Sequence, residues 1–376
     1  MIEYVEIRDA SRQMVGIVDT AKSVIWHTVY NGTGDFEVYA PATPENINLL
    51  AVGNYVTRYD DRNVGIIEKI EITYDPESGR MIAASGRFAK ELLGRRIIYT
   101  MSGTSVSATI LRGNVEAAAR SLVSSNAISC TFDSARNIAE LTLGASAGTT
   151  ETIVDSSGNA AEKQVTYDNL LDYTDSLLEE YGLGAYCGLA DDLTLAYTVF
   201  KGADRSTENT EGNDPVIFSQ DFDNLLSSTY EYDRSTYKNA ALIGGQGEGL
   251  DRFCVVLSDS ASTGAARREI FVDARNSSKT YKDDSGKDQT LTDAEYSQQL
   301  ISEGRQKIAE SAIVERFDGE IDLQNGSYEY GTDYALGDIV TVQDLEIGLY
   351  INVRLLEITE VQDDNGYQLS AKYGRK

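Results

Sequence analysis

Apolar residues recur at every second position through much of the first ninety residues. In VGIIEKIEITY, Val64, Ile66, Ile70, Ile72 and Tyr74 share one parity, with Glu68 the lone interruption, which predicts one strand with a single buried face. DPESG, from Asp75 to Gly79, has turn chemistry, and RMIAASGRF returns beside it as a hairpin partner. Upstream, VIWHTVYNGTGDFEVYA reads as two strands joined through Asn31-Gly32-Thr33-Gly34. Short strands at this spacing predict a barrel or a sandwich.

The period lengthens in the middle of the chain. NVEAAARSLVSSN starts at Asn114, a good helix cap, and sets Val115, Ala118 and Leu122 on one stripe. TYDNLLDYTDSLLEEYGLG predicts a helix capped by Thr166, with Leu170, Thr174, Leu177, Leu178 and Tyr181 on its inner face and Gly182 ending it. Strands follow in GAYCGLADDLTLAYTVF, bent at Asp191-Asp192. The polar stretch 201–215 reads as an exposed loop or a domain boundary.

The last third returns to β with one helical insertion. Thr292 and Glu295 form a capping box, and Tyr296, Leu300, Ile301, Gly304 and Ile308 mark the inner face of the helix. Ile347, Leu349, Ile351, Val353 and Leu355 alternate cleanly, then Leu356 and Ile358 break the parity, which predicts a bulge or a strand buried on both faces. Asn365-Gly366 is a two-residue hairpin signal. In YALGDIVTV, Leu336-Gly337-Asp338 introduces a strand: the glycine admits a positive φ, and the aspartate can accept backbone N–H bonds and hold the turn.

The chain has 376 residues, enough for two or three domains, and 41% are hydrophobic, which sets it apart from a disordered acidic tail. Tyrosine is frequent, at 23, and suits half-buried sheet faces and interfaces. The net charge of −27 opposes stable binding to nucleic acid or anionic membrane, and suits a passage through which DNA slides without sticking. Cys130, Cys187 and Cys254 are odd in number, widely spaced and without a CxxC, so they read as small buried residues in a reducing compartment. No signal peptide and no bilayer-spanning apolar run is visible, which predicts a soluble protein folded in a cytoplasm.

Candidate chemistry is sparse. His27, the one histidine, lies mid-strand with no G-x-S-x-G, so a Ser-His-Asp or Cys-His site has no support. One histidine and three scattered cysteines make no zinc pattern. With 60 acidic residues, any carboxylate pair chosen from sequence is uninformative. DDSGKD lacks the spacing and the closing glutamate of a calcium loop. IGGQGEG lacks the third glycine of a dinucleotide loop and is followed by a strand, not a helix. Gly244, Gly245, Gly247 and Gly249 therefore read as structural positions in a connection between strands. No catalytic, cofactor or metal residue is assigned.

GRFAKELLGRRI (86–97), ARNIAELTLG, YDNLLDYTDSLLEEYGLG, KGADRS, VIFSQDFDNLLSSTYEYDRSTYKNAALIGGQGEG, RREIFVDAR and YEYGTDYALGDIVTV follow one another in an order that resembles the tail-hub proteins of siphophages and prophages. The resemblance runs from about Gly86 to Gly374, and the N-terminal strands are compatible with it. It implies a fold related to the baseplate hubs of contractile and long-tailed phages: mainly β with an α+β centre. The expected divisions are a first β-barrel-like ring domain at 1–95, an α/β middle domain at 96–215, and a second β-barrel-like ring domain at 216–376 with a helical insertion around 290–311.

The resemblance further implies a homotrimer at the virion tail tip, assembled in the bacterial host cytoplasm. It would join a sixfold tube to a threefold tip around a channel for DNA. Its partners would be distal tail or tail tube proteins, the tape-measure protein and a tip fibre or lysin subunit. Many members carry a peptidase or lysozyme region beyond the hub; this chain stops at AKYGRK, right after the last hub strand, so that activity is expected to be absent or to sit on another polypeptide, and no cofactor is expected. The alternatives are a tail-associated cell-wall hydrolase using carboxylates and a virion carbohydrate-binding module using tyrosine platforms.

Overall fold

The computed structural model describes residues 2–77, 79–99, 109–154, 158–258, 262–282, 287–321 and 328–375. The N-terminal part contains β1 (Val5–Arg8), β2 (Met14–Val18), β3 (Ser23–Val29), β4 (Asp35–Pro41), α1 (Pro44–Leu49), β5 (Tyr55–Thr57), β6 (Gly65–Ile66), β7 (Lys69–Asp75) and β8 (Gly79–Arg87). They form two layers, one ordered β2-β1-β5-β6 and one in which β3, β4, β8 and β7 pair in succession. Alternation explains the core: Val24 and Trp26 of β3 and Phe36 and Val38 of β4 point inward, meeting Val5, Ile7, Ile82 and Phe88.

The run from Val64 to Tyr74 is not one strand with one buried face. β6 pairs with β5 in one layer, β7 pairs with β8 in the other, and the chain crosses between them at Ile67 and Glu68. At the crossing a Cβ on Gly86 would lie 1.8 Å from the carbonyl oxygen of Ile66. Every residue of β7 is exposed, including Ile70, Ile72 and Tyr74. The parity was real, but nothing among the described residues covers that face.

The middle contains β9 (Thr109–Arg112), α2 (Val115–Val123), β10 (Leu141–Leu143), β11 (Glu162–Val165), α3 (Leu170–Glu180), β12 (Gly184–Leu189) and β13 (Leu195–Phe200). Asn114 caps α2, which buries Val115, Ala118 and Leu122. Asn169, not Thr166, caps α3: its side chain accepts from the N–H of Leu171 at 3.0 Å and of Asp172 at 3.3 Å. The helix starts later than its pattern suggested because Tyr167, at φ +60°, turns the chain first. Leu170, Thr174, Leu177 and Leu178 are buried on the β10-β13-β12 side, Tyr181 is half-buried at the C-cap, and Gly182 ends the helix at φ +66°.

The C-terminal part contains β14 (Ile217–Ser219), β15 (Leu225–Asp233), β16 (Ala240–Gly244), β17 (Cys254–Ser258), β18 (Glu269–Asp273), β19 (Thr280–Lys282), β20 (Asp288–Thr290), α4 (Asp293–Glu310), β21 (Val314–Ile321), β22 (Ile339–Asp344), β23 (Leu349–Asp363) and β24 (Gly366–Arg375). β15 and β21 pair through Asp233 and Val314, so all that lies between them is inserted. The insertion is larger than one helix. It is an α/β unit in which α4, opened by the Thr292–Glu295 capping box, packs Tyr296 and Leu300 onto Ala241, Ile243 and Val272 of the β17-β16-β18 sheet. Gly304 is buried in α4, and Ile308 is partly buried against this core. The DDSG part of the calcium-loop comparison lies outside the described residues.

A ten-stranded sheet runs β15-β21-β24-β23-β3-β4-β8-β7, with β22 and β14 branching from β23. The expectation of two closed barrels is corrected: this path is open, ending at β15 and β7, and no described sheet closes on itself. β23 is the cause. Its N-terminal half pairs with β22 and its C-terminal half with β3, while β24 runs along its other side. The register shifts between Leu355 and Glu357, a bulge at Leu356 where the parity breaks, and the strand bends from one layer into the next. The two β-rich ends thus share one sheet.

Candidate functional site

The best-defined cluster of polar and packing contacts joining distant parts of the chain is centred on Leu336-Gly337-Asp338. Leu336 is buried in the C-terminal core with Val340, Val342 and Leu355. Gly337 has φ +93°, and a Cβ there would lie 2.2 Å from Cε2 of Tyr30 at the end of β3. The Asp338 carboxylate accepts from the N–H of Ala203 at 2.7 Å, the N–H of Ala335 at 2.9 Å and Nε of Arg205 at 3.1 Å. Asp338 is therefore both the lock of its own turn and a clamp on the segment leaving β13.

The same point gathers all three parts of the chain. Tyr30 donates to the Gly182 carbonyl at 2.8 Å and meets Phe200 edge-on, with ring centres 5.1 Å apart. Burial, first of all, raises the Tyr30 phenol above its ordinary pKa, so it stays a neutral donor. Arg354 of β23 donates to the Gly337 carbonyl at 2.6 Å and lies over the Tyr30 ring at 5.4 Å. A Cβ on Gly202 would lie 2.0 Å from the Gly337 carbonyl carbon, so two backbones meet where no side chain fits.

The polar stretch after β13 is exposed mainly from 207 to 215, whereas 202–206 is tied down. Ile339 donates to Ala203 and Arg205 donates to Ile339, which sews 203–205 onto the start of β22, and Ser206 is fully buried. Polarity there serves bonding to a strand edge rather than exposure to water. The KGADRS motif carried that signal only through its neighbours.

Three charged groups reinforce the seams. Lys90 is buried and its Nζ lies 2.9 Å from Asp175 of α3, whose other oxygen accepts from the Gly32 N–H at 2.9 Å. Burial pushes the Asp175 carboxyl up, against the pull of Lys90. Arg58, also buried, grips Glu360 at 2.9 and 3.1 Å and Asp60 at 2.8 and 2.9 Å, and lies over Trp26. Burial works against its charge, but these carboxylates outweigh it and raise the pKa. His27 stands between Asp35 and Glu357, 3.1 Å from each, a half-buried strand histidine joining β4 to β23. Periodicity cannot show the Lys90–Asp175, Arg58–Glu360 and His27–Glu357 pairs, whose partners lie 85, 302 and 330 positions apart.

The glycine-rich connection lies apart from this junction, between β16 and β17. Gly244 and Gly245 are buried, and a Cβ would fall 2.6 Å from Arg252 or 2.5 Å from the Tyr296 hydroxyl. Gly247 and Gly249 take φ +100° and +56°. Of the cysteines, Cys130 and Cys187 are buried as expected, and burial pushes the Cys187 thiol up to about 12. Cys254 departs from that expectation: it is exposed, because it opens the edge strand β17. No helix among the described residues is long and apolar enough to cross a membrane.

This architecture is the fold of phage and prophage tail proteins. The tail protein from Neisseria meningitidis MC58 aligns with a TM-score of 0.58 at 14% identity, covering 99% of this chain and 96% of that one. The 43 kDa tail protein of prophage MuSo2 from Shewanella oneidensis aligns with a TM-score of 0.58 at 13% identity, covering 99% and 98%. Prophage tail protein gp18 from Listeria monocytogenes EGD-e gives 0.51 at 12%, covering 99% and 94%. The chain belongs to the family described as Siphovirus ReqiPepy6 Gp37-like protein, whose model matches residues 4–375. No curated protein sequence matches it.

Proposed function

We propose that this chain is the hub of a siphophage tail tip, a non-enzymatic homotrimer that joins the sixfold tail tube to a threefold tip. Residues 1–95 and 216–376 act as the two ring-forming domains and 96–215 as the α/β part packed against them. The observation that carries the reading is β7. It is an edge strand of the ten-stranded sheet, paired among the described residues with β8 alone, with Ile70, Ile72 and Tyr74 exposed along it. An edge like this favours pairing with another chain. At the other end of the sheet β15 exposes Leu226, Tyr230 and Tyr232. Closed cyclic assembly would cover both ends.

In this reading distal tail or tail tube proteins, the tape-measure protein and a tip fibre or lysin subunit are the neighbours, and DNA passes a channel with an acidic wall that does not hold phosphate. The turns at Gly244, Gly245, Gly247, Gly249 and Leu336 to Asp338 serve structure and assembly rather than chemistry. Reconstruction of the tail tip, with native mass spectrometry of the purified chain, tests it. Three copies, 3 × 41.1 kDa = 123.3 kDa, are expected; six copies, or absence from the tip, would refute it. A peptidoglycan zymogram with the purified chain is expected to stay uncleared, and clearing abolished by one carboxylate substitution would promote the hydrolase instead.

A further inference from the structure

The chain carries a cleft in which Arg96 and Arg136 meet no carboxylate among the described residues, while Arg95 at its rim lies 3.4 Å from Glu68. Arg95, Arg96, Ile97, Tyr99, Arg136 and Tyr167 line about 520 Å³ between the end of the Ala89–Arg95 turn and the residues just before α3. The Arg136 guanidinium lies 5.4 Å from the Tyr99 ring centre and 5.3 Å from that of Phe132, and donates to the Ile97 carbonyl. Its Nε is buried with no hydrogen-bond partner. Arg96 donates only to carbonyls, that of Arg136 at 2.7 Å and that of Arg95 at 3.0 Å. Among the described residues neither guanidinium forms an ion pair; Asp133 instead accepts from the Ala135 N–H at 3.1 Å. Half-buried cations without a counter-charge are costly, and this chain has 60 acidic residues to spend on them.

The converse feature is the tip of the glycine-rich connection, Glu248-Gly249-Leu250-Asp251. Exposed leucines are ordinary, but Leu250 is wholly exposed, at 105%, on a turn that is firmly tied. Arg252 donates to the carbonyls of Gly245 at 3.1 Å and Gly244 at 2.8 Å and to Asp273 at 2.5 Å. Phe253 and Gln246 pair across the base of the turn at 2.9 Å. A leucine between two carboxylates is thus held out from the protein in a fixed shape. The cleft offers the complement: guanidiniums for the carboxylates and the exposed faces of Ile97, Tyr99 and Tyr167 for the leucine.

We propose that this cleft receives the Glu248–Asp251 tip of a second copy of the chain, Leu250 seating among Ile97, Tyr99 and Tyr167 and the flanking carboxylates meeting Arg96 and Arg136. The inference rests on the ring reading above and names a contact within it. Knob and cleft are different patches, so the contact is head-to-tail, the kind from which rings are built, rather than a twofold pair. It also places attraction where copies that each carry −27 would otherwise repel. A duplex is a poor occupant, since the net charge of −27 opposes phosphate and a strand needs a continuous basic track.

A cyclic peptide spanning Gln246–Phe253, titrated by fluorescence anisotropy into the full chain, tests the contact. Saturable binding is expected, weakened at least tenfold by Leu250→Ala in the peptide or by Arg96→Ala in the chain. Arg96→Ala is chosen because loss of Arg136, which packs against the paired rings of Tyr99 and Phe132, could disturb folding. Binding of an Asp344–Tyr350 peptide instead, or of an oligonucleotide in competition with the tip, would overturn it. In a Cys254→Ser background, Leu250→Cys on one copy and Tyr167→Cys on another should cross-link in assembled tails. Trimers without that cross-link would remove the tip contact and leave the ring standing. If the chain is absent from tails the ring reading fails, and the peptide titration still decides the cleft.

Discussion

The carboxylate of Asp338 accepts a hydrogen bond of 2.7 Å from the backbone N–H of Ala203, 135 positions earlier in the chain. One side chain thereby ties the segment leaving β13 to the entry of β22. Its neighbour Gly337 is pinned between the Tyr30 ring and the Gly202 backbone.

Substitution at this junction is expected to act on folding and assembly. Gly337→Val places a branched side chain at φ +93° and against Tyr30, and the backbone strain alone costs about 1–3 kcal/mol. Asp338→Ala strands the N–H groups of Ala203 and Ala335, at about 1–3 kcal/mol for each that stays dry. Urea unfolding should show both losses. Wild-type midpoints and normal incorporation into tails for both variants would contradict the assignment.

Lys90 and Asp175 hold α3 against the turn that follows β8. Lys90→Met leaves a buried carboxylate without its cation, and a loss of about 3–5 kcal/mol is expected. The double variant Lys90→Met/Asp175→Leu should recover much of that loss, because the uncompensated charge is gone. Equal losses in the single and double variants would show that packing, not charge, governs the seam.

Acid sensitivity has a defined contributor in Glu357. Burial disfavours its charge, but hydrogen bonds from Lys372 and His27 outweigh this and hold its pKa below the ordinary carboxylate range. A depressed carboxylate stabilises the fold fully above its unfolded pKa, about 4.3, and that contribution disappears as pH falls through the lower folded value. Glu357→Gln should therefore lower the melting temperature at pH 7 and converge with wild type near pH 3. A constant difference across that range would exclude the linkage.

Elements whose determinants are local were legible in the amino-acid order alone. The hairpins at Asn31–Gly34, Asp75–Gly79 and Asn365-Gly366, the Asn114 cap, the Thr292–Glu295 box and the Leu356 bulge each depend on a few adjacent residues. So did the family, through the colinear order of its motifs. Tertiary structure decided what depends on distant partners. Val64 to Tyr74 has the parity of one strand, yet hydrogen bonds to β5 and β8 split it between two layers and leave β7 uncovered. The polar segment 203–206 has the composition of a loop, yet it is bonded to β22 because Asp338 and Ile339 offer partners that only folding brings near. β23 joins the two β-rich ends into one open sheet, since a fifteen-residue strand with a bulge can pair with β22 and β3 in turn. Periodicity reports which face of a strand is apolar, and the chain's topology alone determines what, if anything, comes to cover it.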